Sequence, residues 1–247
     1  MRLITVVLLA VEAFTGLAAT AASQTGPTRW TADASVNRAW YLIRPHYGHL
    51  YGSTCRADYE EGAADLGGDV QYGIHSGGDP REGLKPPGAE HPCSPAIDVE
   101  LVAADTVTWK DLKGTIVVRL DYLVGPAKRR DDHMKDQIMK THLHPVARFT
   151  LDSLTNVRAG DTIRAVALGT FELYGTARKI AAPVRAWFDQ SGDLIVNAEY
   201  TMTPRALVTE YGVSRVWIGL GWYMWKTLTI GVDLRLKRAP LGEGASR

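Results

Sequence analysis

Arg129-Arg130-Asp131-Asp132-His133-Met134-Lys135-Asp136, followed by Lys140-Thr141-His142-Leu143-His144-Pro145 and Val146-Ala147-Arg148-Phe149-Thr150-Leu151, is the stretch whose reading decides the fold. A charged segment with three histidines runs into a proline and then into an alternating apolar run. It is either a metal or acid/base centre, or a turn that closes a β-structure. For the first reading, His133, His142 and His144 with Asp131 and Asp132 offer three or four ligands, and an extended His142-Leu143-His144 puts both rings on one side. For the second, Pro145 forbids a continuing helix and pushes His144 to extended backbone. Asp131 to Lys140 predicts two or three helical turns, with Asp131 or Asp132 as N-cap, so the acids stand where a helix start favours them. Ala147, Phe149 and Leu151 then alternate with Arg148, Thr150 and Asp152, the period of a strand.

The flanks carry the same period. Upstream, Trp30 to Ser35 and Ala39 to Ile43 are short, aromatic or apolar runs that fit strands, and Pro45 ends the second. Ile97, Val99, Leu101 and Ala103 share one face; Ile116, Val118, Leu120 and Tyr122 share another, broken by Gly125-Pro126. Downstream, Ala165, Ala167, Gly169, Phe171 and Leu173 face one way, a hairpin is predicted at Gly175-Thr176, and Ala182, Val184, Ala186 and Phe188 face together. Ser191-Gly192 turns again before Leu194, Val196, Ala198, Tyr200 and Met202. Pro204 stops that run, Arg205 to Arg215 is mixed, and a Trp-rich stretch runs from Val216 to Trp225. The last strand alternates most clearly, with Leu228, Ile230, Val232, Leu234 and Leu236 apolar.

Eight or nine such strands on short turns form an all-β domain, an antiparallel sheet folded on itself as a barrel or a sandwich. The inward face is rich in Ala165, Ala167, Gly169, Ala182, Ala186 and Ala198. Small inward residues leave volume that a closed core avoids and a ligand-holding barrel needs. A sandwich whose facing sheet brings the large residues accounts for them as well.

Gly52 to Pro95 departs from this pattern. Its glycines and prolines, without a sustained apolar period, read as a long loop. Cys55 and Cys93 stand near its ends. The N-terminus explains them: Arg2, the apolar Leu3 to Val11 and the small Ala19-Thr20-Ala21 read as a signal peptide over residues 1–21, with Glu12 a blemish. That address, secreted or periplasmic, is oxidising, so the two cysteines point to a disulfide around the loop, the alternative being two free thiols. The expected domain spans 28–238, with 52–95 inserted and 239–247 a disordered tail.

A net charge of +1 gives no field for nucleic acid or an anionic membrane surface. No stretch after the leader is long enough for a membrane span. No G-x-S-x-G elbow is present, and neither cysteine has a matching base nearby.

The order of motifs resembles the YceI-like family of secreted polyisoprenoid-binding proteins, from Trp30 to Lys237 outside the Gly52–Pro95 excursion. Arg130-Asp131-Asp132-His133-Met134 and His144-Pro145-Val146-Ala147-Arg148-Phe149 look like the family's RDxHM segment and its YP-x-x-x-F strand. Gly169 to Lys179 looks like its GdLTlhGvTr hairpin, and Arg205 to Val213 is similar to its R-x-D-[FY]-G turn, stretched by three residues. The resemblance implies a single lipocalin-like barrel of about eight antiparallel strands around an apolar tunnel for a long isoprenoid chain. The pinched excursion, Glu172 and Tyr174 in the hairpin, and the Trp-rich run depart from the family's pattern.

The function expected is therefore non-catalytic binding of a long-chain isoprenoid or other long-chain amphiphilic lipid, for transport, storage or stress response in the cell envelope, with no cofactor. Burying roughly ten chain carbons yields about 8 kcal/mol gross, near micromolar affinity before ordering costs. The lining is expected from Ile116, Val118, Leu120, Phe149, Leu151, Phe171, Leu173, Val184, Phe188, Leu194, Val196, Leu228, Ile230 and Val232. Arg129, Arg130 and His133 are candidates for a headgroup at the tunnel mouth. The alternatives are a metal-dependent envelope enzyme built on His133, His142 and His144, and an envelope protein-interaction module that docks through the excursion and the Trp run. A homodimer is left open.

Overall fold

The computed structural model describes residues 27–32, 34–45, 49–56, 58, 74–75, 81, 84, 92–106, 108–109, 111–125, 127–213 and 225–239. The expected leader, the Trp-rich run before Trp225 and the tail from Pro240 lie outside them. Ala239 still pairs with Arg29, so the last strand reaches the first residue of the expected tail.

The strands are β1 (Thr28–Ala32), β2 (Arg38–Pro45), β3 (His49–Ser53), β4 (Ile74–His75), β5 (Ile97–Ala103), β6 (Lys113–Arg119), β7 (Val146–Arg158), β8 (Ile163–Leu173), β9 (Thr176–Phe188), β10 (Leu194–Met202) and β11 (Trp225–Ala239). Two short helices are α1 (Lys128–His133) and α2 (Pro204–Thr209). The strand order β1-β5-β6-β7-β8-β9-β10-β11 returns from β11 to β1, so eight antiparallel strands close into a barrel. Closure decides against the sandwich and removes the open sheet edges that a flat sheet would expose.

Alternation in the sequence becomes alternation in burial. Along β8, Ile163, Ala165, Ala167, Phe171 and Leu173 are buried, whereas Arg164 is exposed and Val166 and Leu168 are half-buried. β11 pairs with β10 on one edge and with both β2 and β1 on the other. β1 and β2 are thus one wall strand interrupted by the 3-10 turn Ala34–Val36. At the break, buried Asn37 takes over the ladder: Arg235 donates its backbone N–H to Asn37 Oδ1 at 2.6 Å.

Local departures from the expected elements each have a cause. β6 ends at Arg119, and Leu120–Tyr122 is a 3-10 turn, which still carries Leu120 into the core. The charged helix begins at Lys128, earlier than expected, and has no side-chain N-cap. Asp131 is instead buried, and its Oδ2 accepts the Gly125 N–H at 2.7 Å, tying the preceding loop to the helix. α1 runs on into a π turn, Met134–Ile138, and Lys140 at φ 47 ends it. The β8–β9 hairpin turns on Tyr174 and Gly175, both left-handed (φ 54 and 72), one residue before the expected pair. The mixed segment after Pro204 is α2, capped by Thr203, whose side-chain oxygen accepts the Ala206 N–H at 3.3 Å, with Pro204 at the first helical position.

The excursion is less loop-like than its composition predicts. Gly52 and Ser53 end β3, which pairs with β2, and Ile74–His75 form β4, which pairs with β3. Cys55 and Cys93 form the expected disulfide. Arg38 and Asp58 make an ion pair at 2.8 Å with side chains only 5% and 4% exposed, and the hydroxyls of Ser53 and Tyr51 donate to Asp58 Oδ2 at 2.6 and 3.2 Å. Further along, Arg81 lies over the Trp40 ring and pairs with Glu199 at 3.0 Å. Asp58 and Arg81 of the excursion are therefore laid against β2 and β10. Among the described residues no helix is long and apolar enough to cross a membrane.

Candidate functional site: a cavity inside the barrel

The barrel core is split into two clusters. One gathers Trp30, Ile97, Leu101, Trp109, Leu194, Leu234 and Leu236; the other gathers Phe171, Leu173, Met202, Leu207, Tyr211 and Leu228 beside α2. Phe149 touches both. Between them lies a cavity of about 190 Å³.

Short side chains on three adjacent strands make this space. Ala165 and Ala167 of β8, Ala182 and Ala186 of β9 and Ala198 of β10 all line it. Gly169 belongs to a different arrangement: a Cβ there would stand 2.5 Å from Phe149 Cζ, so the Phe149 ring already occupies that volume. The small inward residues thus serve two ends, hollowing the barrel at the alanines and seating an aromatic ring at the glycine.

Of the apolar residues expected at the lining, Ile116 and Val118 come from β6, Leu120 from the turn after it, and Phe149 and Leu151 from β7. Phe171 and Leu173 come from β8, Val184 from β9, Leu194 and Val196 from β10, and Ile230 and Val232 from β11. Phe188 and Leu228 are not among the lining. Phe188 is 44% exposed and packs on Trp109 at 6.2 Å, and Leu228 is buried in the cluster beside α2. The lining also includes Tyr41, Trp109, Leu112, Leu154, Ile163, Ile180 and Tyr200. Ile163, Ile180 and Tyr200 continue alternations that the sequence already shows. Trp109 and Leu112 do not, because they belong to the β5–β6 connection, where no period marks a face.

At the β5–β6 connection the cavity meets the Trp109 ring. Trp109 stacks on Trp30 with centroids 5.5 Å apart and planes at 23°. Along its side the wall has a seam. β9 pairs with β10 only from Phe188–Leu194 to Val184–Ala198. The next position would set Pro183 against Glu199, and Pro183 has no N–H to donate. Beyond it the pairing stops, with Ile180 and Ala182 on β9 and Tyr200 on β10 all on the cavity. Phe171 packs against Tyr200 at 6.3 Å and edge-on against Tyr211 at 5.9 Å. Burial raises both tyrosines above the ordinary phenol range, with Glu210 adding to the shift, so both are neutral hydroxyls.

Of the headgroup candidates, Arg130 lies beside Tyr41, which lines the cavity. Arg130 donates to the Tyr51 carbonyl at 3.1 Å and lies 3.5 Å from Asp131 Oδ1. His133 is exposed on α1, and the side chain of Arg129 lies outside the described residues. Nor are the histidines brought together as a metal centre: His142 is exposed, and the His144 ring lies on Tyr174 at 4.3 Å. Among the described residues no three of His, Cys, Asp and Glu are grouped to hold a metal ion.

Compared with known proteins, the chain is similar in fold to BcnA of Burkholderia cenocepacia, with a TM-score of 0.56 and 9% identity over 83% of this chain and 98% of that one. It is also similar to a polyisoprenoid-binding domain of Saccharophagus degradans implicated in plant cell wall breakdown, with a TM-score of 0.50 and 12% identity over 85% of this chain and 98% of that one. A YceI protein of Campylobacter jejuni aligns over 51% of this chain and 72% of its own, with 14% identity and a TM-score of 0.40. No family model and no curated protein matches the sequence. At these identities the likeness is one of fold, and the barrel expected from the YceI-like resemblance is the barrel observed.

Proposed function

We propose that this protein binds the apolar part of an isoprenoid or similar amphiphilic lipid inside its barrel, without catalysis, and carries or stores it in the cell envelope. One observation carries the reading: a closed barrel keeps a cavity whose lining is drawn from β2 and from every strand between β5 and β11 and is apolar almost throughout. A packed core gains nothing from a void, because each missing contact is lost dispersion energy. The likeness in fold to a polyisoprenoid-binding domain supports the ligand class. The leader-like N-terminus supports a secreted or periplasmic address.

The cavity suffices for useful affinity. Enclosing about eight carbons at ~0.8 kcal/mol each gives roughly 6 kcal/mol gross, a dissociation constant of tens of micromolar before ordering costs. Protein purified from its native host, extracted with organic solvent and examined by mass spectrometry, should release a stoichiometric lipid. An extract without lipid, together with failure of the emptied protein to take up any alkanol or prenol, overturns the reading.

A further inference from the structure

We infer that Trp109, buttressed by Trp30, is the floor of the cavity and sets the length of chain the barrel encloses, so that only a short apolar segment of about eight carbons enters and the rest of a longer lipid stays outside. The inference rests on the lipid-binding reading and adds a chain-length rule to it.

Volume is the first argument. The cavity measures about 190 Å³, and a 150 Å³ apolar cavity accommodates one benzene. Scaled by volume, the barrel holds roughly eight carbon atoms, between one and two isoprene units. It is also smaller than the ~300–1,000 Å³ of pockets that enclose a drug-sized ligand.

The second argument is what stands at the β5–β6 connection. Trp109 lines the cavity, is 5% exposed, and stacks on Trp30, which is fully buried. Phe188 packs on the same indole. A chain that reaches the β5–β6 connection therefore meets the Trp109 indole, backed by two further rings.

The backbone supplies the third. Trp109 has φ 55 and Asp111 φ 60. The left-handed region is uncommon for a bulky side chain and marks a position over-determined by its surroundings. It is from this left-handed backbone that Trp109 reaches the cavity.

The test is a chain-length series of straight 1-alkanols from butanol to dodecanol, each below its solubility limit, bound to delipidated full-length protein and followed by isothermal titration. Each enclosed methylene should tighten binding roughly fourfold, up to about octanol, after which affinity is flat. Trp109→Ala should move that plateau to longer alkanols, and Trp109→Phe should move it less, with thermal unfolding confirming that both variants fold. Affinity that keeps climbing to dodecanol in the wild type overturns the floor even if neither variant folds. A plateau that stays at octanol in folded variants overturns the role of Trp109. Absence of binding by every alkanol overturns the lipid-binding reading and this inference with it.

Discussion

Gly231 of β11 lies directly opposite Trp40 of β2, and a Cβ at Gly231 would stand 2.2 Å from Trp40 Cζ2. The indole occupies the side-chain position that the glycine leaves empty. Arg81 covers the same ring at 4.7 Å and pairs with Glu199, which is the partner of Gly231 on β10. One missing side chain thus lets the excursion dock flat on the outer wall. Gly231→Ala forces the indole to move or the strands to part, and overpacking of this kind costs roughly 1–3 kcal/mol. Urea unfolding should show a lower midpoint. A midpoint equal to that of the wild type means that Trp40 has room to yield, and the docking account is then wrong.

The Arg38–Asp58 pair makes a second prediction, because both side chains are buried. Removing Asp58 leaves Arg38 only its longer contact with Asp233 at 3.5 Å, and breaking a buried pair costs about 3–5 kcal/mol, whereas replacing both partners can be close to neutral. Asp58→Ala is therefore expected to destabilise more than the double variant Arg38→Met with Asp58→Ala. Four-way unfolding measurements give the coupling. Additive single and double effects would show that the pair contributes no specific interaction.

Much of the barrel is readable before any coordinates, because a period of two assigns each strand residue to a face. Ile163 to Leu173 alternate in sequence and in burial alike. The period misleads where the chain leaves the strand without changing faces: Leu120 is in a 3-10 turn yet still reaches the core. It says nothing about cross-strand neighbours, so Gly169 and Ala167 look alike in sequence although Phe149 fills one position and the cavity touches the other. The charged histidine segment is misleading for a similar reason. The partner of Asp131 is the Gly125 backbone in the preceding loop, a contact that no helix-capping rule anticipates. Trp109 has no periodic signal at all, since it lies outside the strands on left-handed backbone.

Asp233 gives the stability a pH dependence of defined sign. Burial raises its carboxyl above the ordinary range, and Arg38 and Asn197 only partly offset this. A carboxyl with a raised folded-state pKa binds its proton more tightly folded than unfolded. Its contribution to stability is fully present below the unfolded value near pH 4 and is lost as pH rises through the folded value. Asp233→Asn removes this titration and keeps a group that can hydrogen-bond to Asn197. Unfolding free energies measured from pH 4 upward should fall less steeply in the variant than in the wild type. Parallel curves would mean that Asp233 titrates alike in both states.

Tyr211 makes the last prediction. Its side chain is fully buried, its ring sits edge-on against Phe171, and its Oη makes no hydrogen bond of good geometry, although the Tyr200 hydroxyl is near enough to interact with it. A buried hydroxyl without a partner costs about 1–3 kcal/mol of desolvation, while the ring contributes its full apolar area. Tyr211→Phe keeps the ring and discards the hydroxyl, so the empty protein should become more stable by about 1 kcal/mol or more. The same substitution separates two uses of the residue. If the hydroxyl meets the polar end of a ligand at the seam, the variant binds alkanols more weakly although it folds more stably. If the ring alone matters, affinity is unchanged and only the unfolding midpoint rises. A variant less stable than the wild type would show that Tyr211 Oη is satisfied in the folded protein, and that the seam end of the barrel is packed differently from the arrangement described.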